Sequence, residues 1–124
     1  MLVNMKILAN SNQISHLITG TCLQGYISTT YAKLIQHFGE PTKVYPTDPQ
    51  DEDYADGKVQ AMWVFKINDD IITLYDYKEY DTPKEQVTRW HFGAHSRQGL
   101  LNFISELEKD RDLKLLVPFI HFSI

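Results

Sequence analysis

The sequence predicts an α+β fold: an antiparallel β-sheet of about four to six strands packed against two α-helices. Three features of the chain lead to it. Two segments repeat apolar residues at helical spacing between capping residues, several others alternate apolar with polar residues, and the strands follow one another through short turns. Strands joined by short turns pair antiparallel, because a parallel pair needs a crossover of about a dozen residues or more.

The clearer helix is expected at about residues 29–38, where Tyr31, Leu34, Ile35 and Phe38 fall on one face. Ser28 or Thr29 is placed to cap its start, Gly39 stands where a left-handed residue ends a helix, and Pro41 blocks continuation. A second helix is expected at about 97–109, with Leu100, Phe103, Ile104 and Leu107 on one face and Ser96 as its N-cap. Gly99 in its first turns costs about 1 kcal/mol relative to alanine.

Between the helices, Val59, Ala61, Trp63, Phe65 and Ile67 alternate with Gln60, Met62, Val64 and Lys66, so one face is wholly apolar and the other mixed. Asn68-Asp69-Asp70 is turn chemistry, and residues 71–77 read as the returning strand of a hairpin. Residues 87–92 form a third expected strand. Residues 5–9 and 17–26 carry weaker strand signals, and 115–122, interrupted by Pro118, read as an edge strand or a packed tail. Residues 46–57 hold Asp48, Asp51, Glu52, Asp53 and Asp56 with two prolines and no basic residue, which predicts a mobile acidic loop. There is no internal repeat.

A chain of 124 residues, 43% of them hydrophobic, has the material for one domain with a real core. The lone Cys22 excludes an internal disulfide, and no apolar run approaches the roughly 20 residues that span a bilayer. The first eight residues lack the basic and long apolar regions of a signal peptide, so a cytoplasmic protein without membrane contact is expected. A net charge of −4 disfavours nonspecific attraction to nucleic acid, and no direct nucleic-acid binding is expected.

The most distinctive stretch runs from Arg89 to Ser96. Read as a strand passing into a helix through Gly93-Ala94, with Ser96 as cap, it offers backbone N–H groups and the positive end of a helix dipole to an anion such as phosphate. His91, His95 and Arg97 add donors, and Trp90 or Phe92 could stack on a base. Gln24 and Tyr26, at a polar strand end, join this expected ligand set. A second patch, Tyr75, Tyr77, Lys78 and Tyr80, suits contact with a partner protein, since tyrosine brings contact area at little entropic cost. The same residues also admit a plainer account: a tight turn with buried aromatics, and tyrosines that belong to the core.

Catalytic and metal signatures are weak. His91 and His95 are four apart, but Gly93 and the strand break helical geometry and no glutamate follows His91, so no metal is expected. Cys22 lacks a flanking signature and is expected to pack as a small hydrophobe. The acids of the 46–57 loop miss the calcium-loop spacing. No catalytic residue and no cofactor are expected.

Taken together, Thr21-Cys22-Leu23-Gln24-Gly25-Tyr26, Phe38-Gly39-Glu40-Pro41, Trp63, Tyr75-Asp76-Tyr77-Lys78 and Trp90-His91-Phe92-Gly93-Ala94-His95-Ser96 resemble a group of small accessory proteins encoded by bacteriophages, over roughly residues 19–107. The chain departs from that pattern at Cys22, where serine is expected, and at Ala94, where glycine is expected. The order helix, Gly-Glu-Pro, strand, strand is also loosely similar to modules of the beta-lactamase inhibitor protein and of outer-membrane assembly lipoproteins. The phage resemblance implies a non-enzymatic protein that inhibits a bacterial defence system in the host-cell cytoplasm, by binding a defence effector or sequestering a nucleotide signal. Homo-oligomerisation would deepen the shallow pockets of so small a domain. The alternatives are a small histidine-dependent nucleotide hydrolase or phosphodiesterase, and a structural phage accessory protein.

Overall fold

A computed structural model of the chain describes residues 5–123; residues 1–4, part of the N-terminal stretch read above for targeting, and residue 124 lie outside the described residues. Its strands are β1 (Met5–Ile7), β2 (Cys22–Ser28), β3 (Lys43–Val44), β4 (Ala61–Ile67), β5 (Asp70–Tyr75), β6 (Arg89–Ala94) and β7 (Ile120–Phe122). The helices are α1 (Ile14–Ile18), α2 (Tyr31–Phe38) and α3 (Arg97–Glu108), with 3-10 turns at Lys84–Gln86 and Leu113–Phe119. One antiparallel sheet runs β1-β4-β5-β6-β2-β7, and β3 pairs along the same edge of β4 as β1. The fold is α+β, as its pattern predicts, with seven strands among the described residues where four to six are expected.

Local chemistry accounts for most boundaries. Thr30 caps α2, its hydroxyl accepting from the Lys33 N–H at 3.3 Å, one residue beyond the expected Ser28 or Thr29. Gly39, at φ +78°, ends that helix and donates to the Ile35 carbonyl. Ser96 caps α3 through Gly99 N–H, as expected. The β4–β5 hairpin turns through Asn68-Asp69, with Asn68 in the left-handed region at φ +53°.

The main core lies between one face of the sheet and the pair α2 and α3. Phe103 touches the rings of Phe38, Phe65 and Phe92 at centroid separations of 6.4, 4.9 and 5.3 Å. Trp63 and Trp90 meet edge to face at 5.7 Å, and Tyr31 stacks on Trp90. Both indoles are fully buried, and each indole N–H finds a carbonyl, Gly39 O for Trp63 and Val87 O for Trp90. Gly99 lets α3 lie close to the sheet: a Cβ there would sit 3.2 Å from that of Ala94 and 3.3 Å from the Ile72 Cδ1. Its helix-propensity cost is offset by that approach.

Two expectations need correction. Residues 17–26 were read as one strand, but Ile14–Ile18 is a short helix and the strand begins at Cys22. Five residues hold too few apolar repeats to show a helical period in the sequence. Cys22, expected to pack, is exposed at the start of β2. The acids of the 46–57 loop build its turns: the Asp48 carboxylate accepts from Gln50 N–H and the Asp51 carboxylate from Asp53 N–H, both at 2.9 Å.

Candidate functional site

The second face of the sheet is covered over only part of its width. Ile14 of α1 packs on Met62, Val64 and Ile71, with Leu8, Leu17 and Tyr45 around them, and so closes the face over β4 and β5. The mixed face expected of β4 is therefore buried as well. Over β6, β2 and β7 no helix covers this face among the described residues, and the outward side chains there are mostly polar or aromatic, with exposed Leu23 opposite Gly93 as the aliphatic exception.

Those side chains are brought together by register. Tyr75 of β5 lies opposite His91 of β6, His91 lies opposite Tyr26 of β2, and Tyr26 lies opposite His121 of β7. One row of four rings thus crosses four adjacent strands. Tyr75 and His91 are 5.9 Å apart between centroids, and Tyr77 meets Tyr75 and His91 edge to face, both at 6.3 Å. On the other side Tyr26 stacks on His121 at 4.9 Å, and the Arg89 guanidinium lies 4.1 Å from the Tyr26 centroid. Lys78, which adopts φ +57°, lays its ammonium 5.3 Å from the Tyr77 centroid. The result is an aromatic surface with a cation at two of its margins.

Gly93 shapes this surface from below. It occupies the β6 position between Thr73 and Tyr75, and a Cβ there would lie 2.5 Å from Thr73 Oγ1. Its absence leaves the Tyr75 ring room to lean over the strand, with Cε1 only 3.6 Å from that point. A β-bulge between Leu23 and Gly25 places Gln24 out of the regular ladder and sets the register that brings Tyr26 opposite His91.

Electrostatics keeps the central ring neutral. Burial, reinforced by the neighbouring Arg89 charge, pushes the His91 imidazole below its ordinary pKa, and Glu79 and Asp76 only partly oppose this. Burial raises the Tyr75 phenol, with smaller contributions from Tyr77 and Cys22. Asp76 faces the core side, where one carboxylate oxygen accepts from Gln60 N–H at 2.8 Å and Ala61 N–H at 3.1 Å.

The structure redistributes the expected site residues. Gly93 and Ala94 belong to the strand, paired on both sides with Leu23 and Thr73 and with Cys22 and Ile72, so they form no open phosphate loop. Trp90 is fully buried in the main core and cannot stack on a ligand; Phe92 is buried beside it. His95 points at the end of α1, its Nε2 3.3 Å from the Leu17 carbonyl, away from the ring row. Ser96 is occupied as a helix cap. Arg97 stacks on Phe122 at 4.5 Å, on the core side of β7, because Phe122 faces Gly25 where His121 faces Tyr26.

His91 and Tyr26, from the expected ligand set, thus join Tyr75, Tyr77 and Lys78, from the expected partner patch. Tyr80 stands apart and lines a cavity of about 520 Å3 whose other walls include Tyr54, Glu79, Asp81 and Glu85. That hollow has the wrong charge for an anion. Arg89 and His121 were not singled out as ligand residues; the i, i+2 pattern of Arg89 and His91 on one strand face was the available signal for the first, and nothing local marked the second. Among the described residues no group of three or more His, Cys, Asp or Glu side chains is placed to hold a metal ion. No helix is long and apolar enough to cross a membrane among the described residues. No protein-family model, no curated protein and no solved structure matches the chain.

Proposed function

We propose that this chain is a non-enzymatic binding protein that captures a nucleotide on the open face of its sheet. With the resemblance to phage accessory proteins, the capture withdraws a nucleotide signal from a bacterial defence system in the host-cell cytoplasm. One observation carries the proposal: Tyr77, His91, Tyr26 and His121 gather beside Arg89 on the part of the face that α1 leaves uncovered, with Tyr75 at its boundary against the α1 cluster. Aromatic side chains associate with a nucleobase through its π face, worth about 1–3 kcal/mol per base. A guanidinium beside them matches a phosphate. Tyrosine hydroxyls and imidazole nitrogens supply hydrogen bonds to the base or sugar edge.

A hydrolase built on the histidines has less support. Among the described residues no carboxylate hydrogen-bonds either His91 or His95, and His95 is turned toward the Leu17 carbonyl.

The test is to incubate the protein with linear and cyclic nucleotides, remove unbound ligand, denature by heat and analyse what is released. Intact nucleotide recovered only after denaturation is expected. Chemically altered nucleotide would refute the non-enzymatic reading. No association with any nucleotide would overturn capture and leave the Tyr75–Tyr77–Lys78 surface as a contact for a defence effector.

A further inference from the structure

Arg89 differs from the other charged groups around the rings in how it is held. It stands exposed at the first position of β6, on the same face as His91, and its guanidinium carbon lies over the Tyr26 ring, 4.1 Å from the centroid. Tyr26 is in turn stacked on His121, 4.9 Å away with the planes inclined by only 26°. Arg89 comes from β6 and His121 from β7, the two strands that flank β2, so the tyrosine ring is contacted by one group from each neighbouring strand. The stack is cation, ring, ring.

Stacking uses the face of a guanidinium and leaves its five in-plane N–H donors for an acceptor. Among the described residues Arg89 has no carboxylate partner within ion-pair distance. Arg97, the arginine of the expected ligand set, is on the far side of the sheet against Phe122. Lys78 is a flexible ammonium at the opposite margin, 5.3 Å from the Tyr77 centroid, and lacks a fork that can grip two oxygens. His91, kept neutral by burial and by Arg89 itself, adds no competing charge at the centre.

From this arrangement we infer that Arg89 is the phosphate-binding residue of the open face, and that Tyr26 and His121 are positioning residues that hold its guanidinium edge toward the ligand. The inference rests on the nucleotide reading above and deepens it. It assigns one end of the ligand to each margin: the phosphate at the β6–β2 side beside Arg89, the base toward Tyr75 and Tyr77.

The experiment compares nucleosides with their 5′-monophosphates and 3′,5′-cyclic monophosphates by calorimetry, on the intact protein and on Arg89→Gln, Arg89→Lys, Tyr26→Leu and His121→Ala. A charge-assisted, two-point contact predicts that phosphate raises affinity by about ten- to a hundred-fold in the wild type. Arg89→Gln should erase that ratio. Arg89→Lys should restore only part of it, because the charge returns without the fork. Tyr26→Leu and His121→Ala should lower the ratio several-fold while the charge remains, a change that a merely structural role for the stack would not produce. Thermal melts of each variant check that the fold is intact, and His121→Ala, on an exposed edge position, serves if Tyr26→Leu does not fold. A phosphate ratio that survives Arg89→Gln overturns the inference and leaves capture standing. Failure of the wild type to bind any nucleoside or nucleotide overturns capture, and the inference with it.

Discussion

The two faces of one sheet make opposite use of the same residue types. On the core side Trp63, Trp90, Phe65, Phe92 and Phe103 are enclosed by α2 and α3, and the two indole N–H groups are satisfied internally. On the other side Tyr75 meets Tyr77 and His91, and Tyr26 stacks on His121, in a row that is only partly buried. Trp90 and His91 are neighbours in the chain and lie on different sides of it. Aromatic richness therefore has two settings here, a packed core where helices cover the rings and the surface proposed for recognition where none does.

The largest effect should come from breaking the covered side. Phe103→Ala removes a ring that touches three others, and should lower stability by about 3–5 kcal/mol in denaturant titration. A loss under about 1 kcal/mol would mean that α3 is not seated on the sheet as described. Gly93→Val tests the boundary between the two sides. Its Cβ would meet Thr73 Oγ1 at 2.5 Å, so a loss of about 1–3 kcal/mol is expected. Adding Thr73→Ala should recover part of that loss; no recovery would assign the penalty to another contact.

On the open side the balance reverses. Tyr77 is 43% exposed, so Tyr77→Ala should change stability by no more than about 0.5 kcal/mol. It should nevertheless weaken nucleotide binding by several-fold to tenfold, through lost stacking. Unchanged affinity would remove Tyr77 from the ligand surface.

The smallest effect is a pH dependence. Burial and Arg89 hold the folded-state pKa of His91 below its ordinary 6.5. Well above pH 6.5 the residue is neutral whether the chain is folded or not, and it adds no slope. As pH falls below that value the unfolded chain takes up the proton first, so stability declines until the folded imidazole is protonated too. His91→Gln should flatten this part of the curve, by an amount reduced by the residue's partial exposure. An imidazole that NMR shows titrating above 6.5 in the folded protein would contradict the shielding described for it.

Both long helices were readable from the chain because their signals are local. Leu34 and Phe38 repeat at helical spacing, and Ser96 marks the start of α3 with its own side chain. The apolar face of β4 was readable for the same reason, since its alternation lies within a few residues. The ring row was only partly readable. His91, Tyr26, Tyr75 and Tyr77 were each conspicuous, but they fell into two separate patches because 26, 75 and 91 are joined only through strand pairing. Trp90 was misplaced because a strand alternates sides, and no local feature says which side will be covered. β7 was expected as an edge strand or tail, and its pairing with β2 is what brings His121 to the row.

By itself, then, the sequence determined the two longer helices to within a residue or two, the apolar face of β4 and the α+β class. Capping, turn chemistry and hydrophobic period act over a few residues, so they survive without knowledge of the fold. The tertiary structure alone decided that Arg89 and His91 face outward while Trp90 and Phe92 face inward, and that Tyr26 and His121 complete their surroundings. Those facts depend on the β2 bulge, on the register of four strands distant in the chain, and on how far α1 reaches across the sheet.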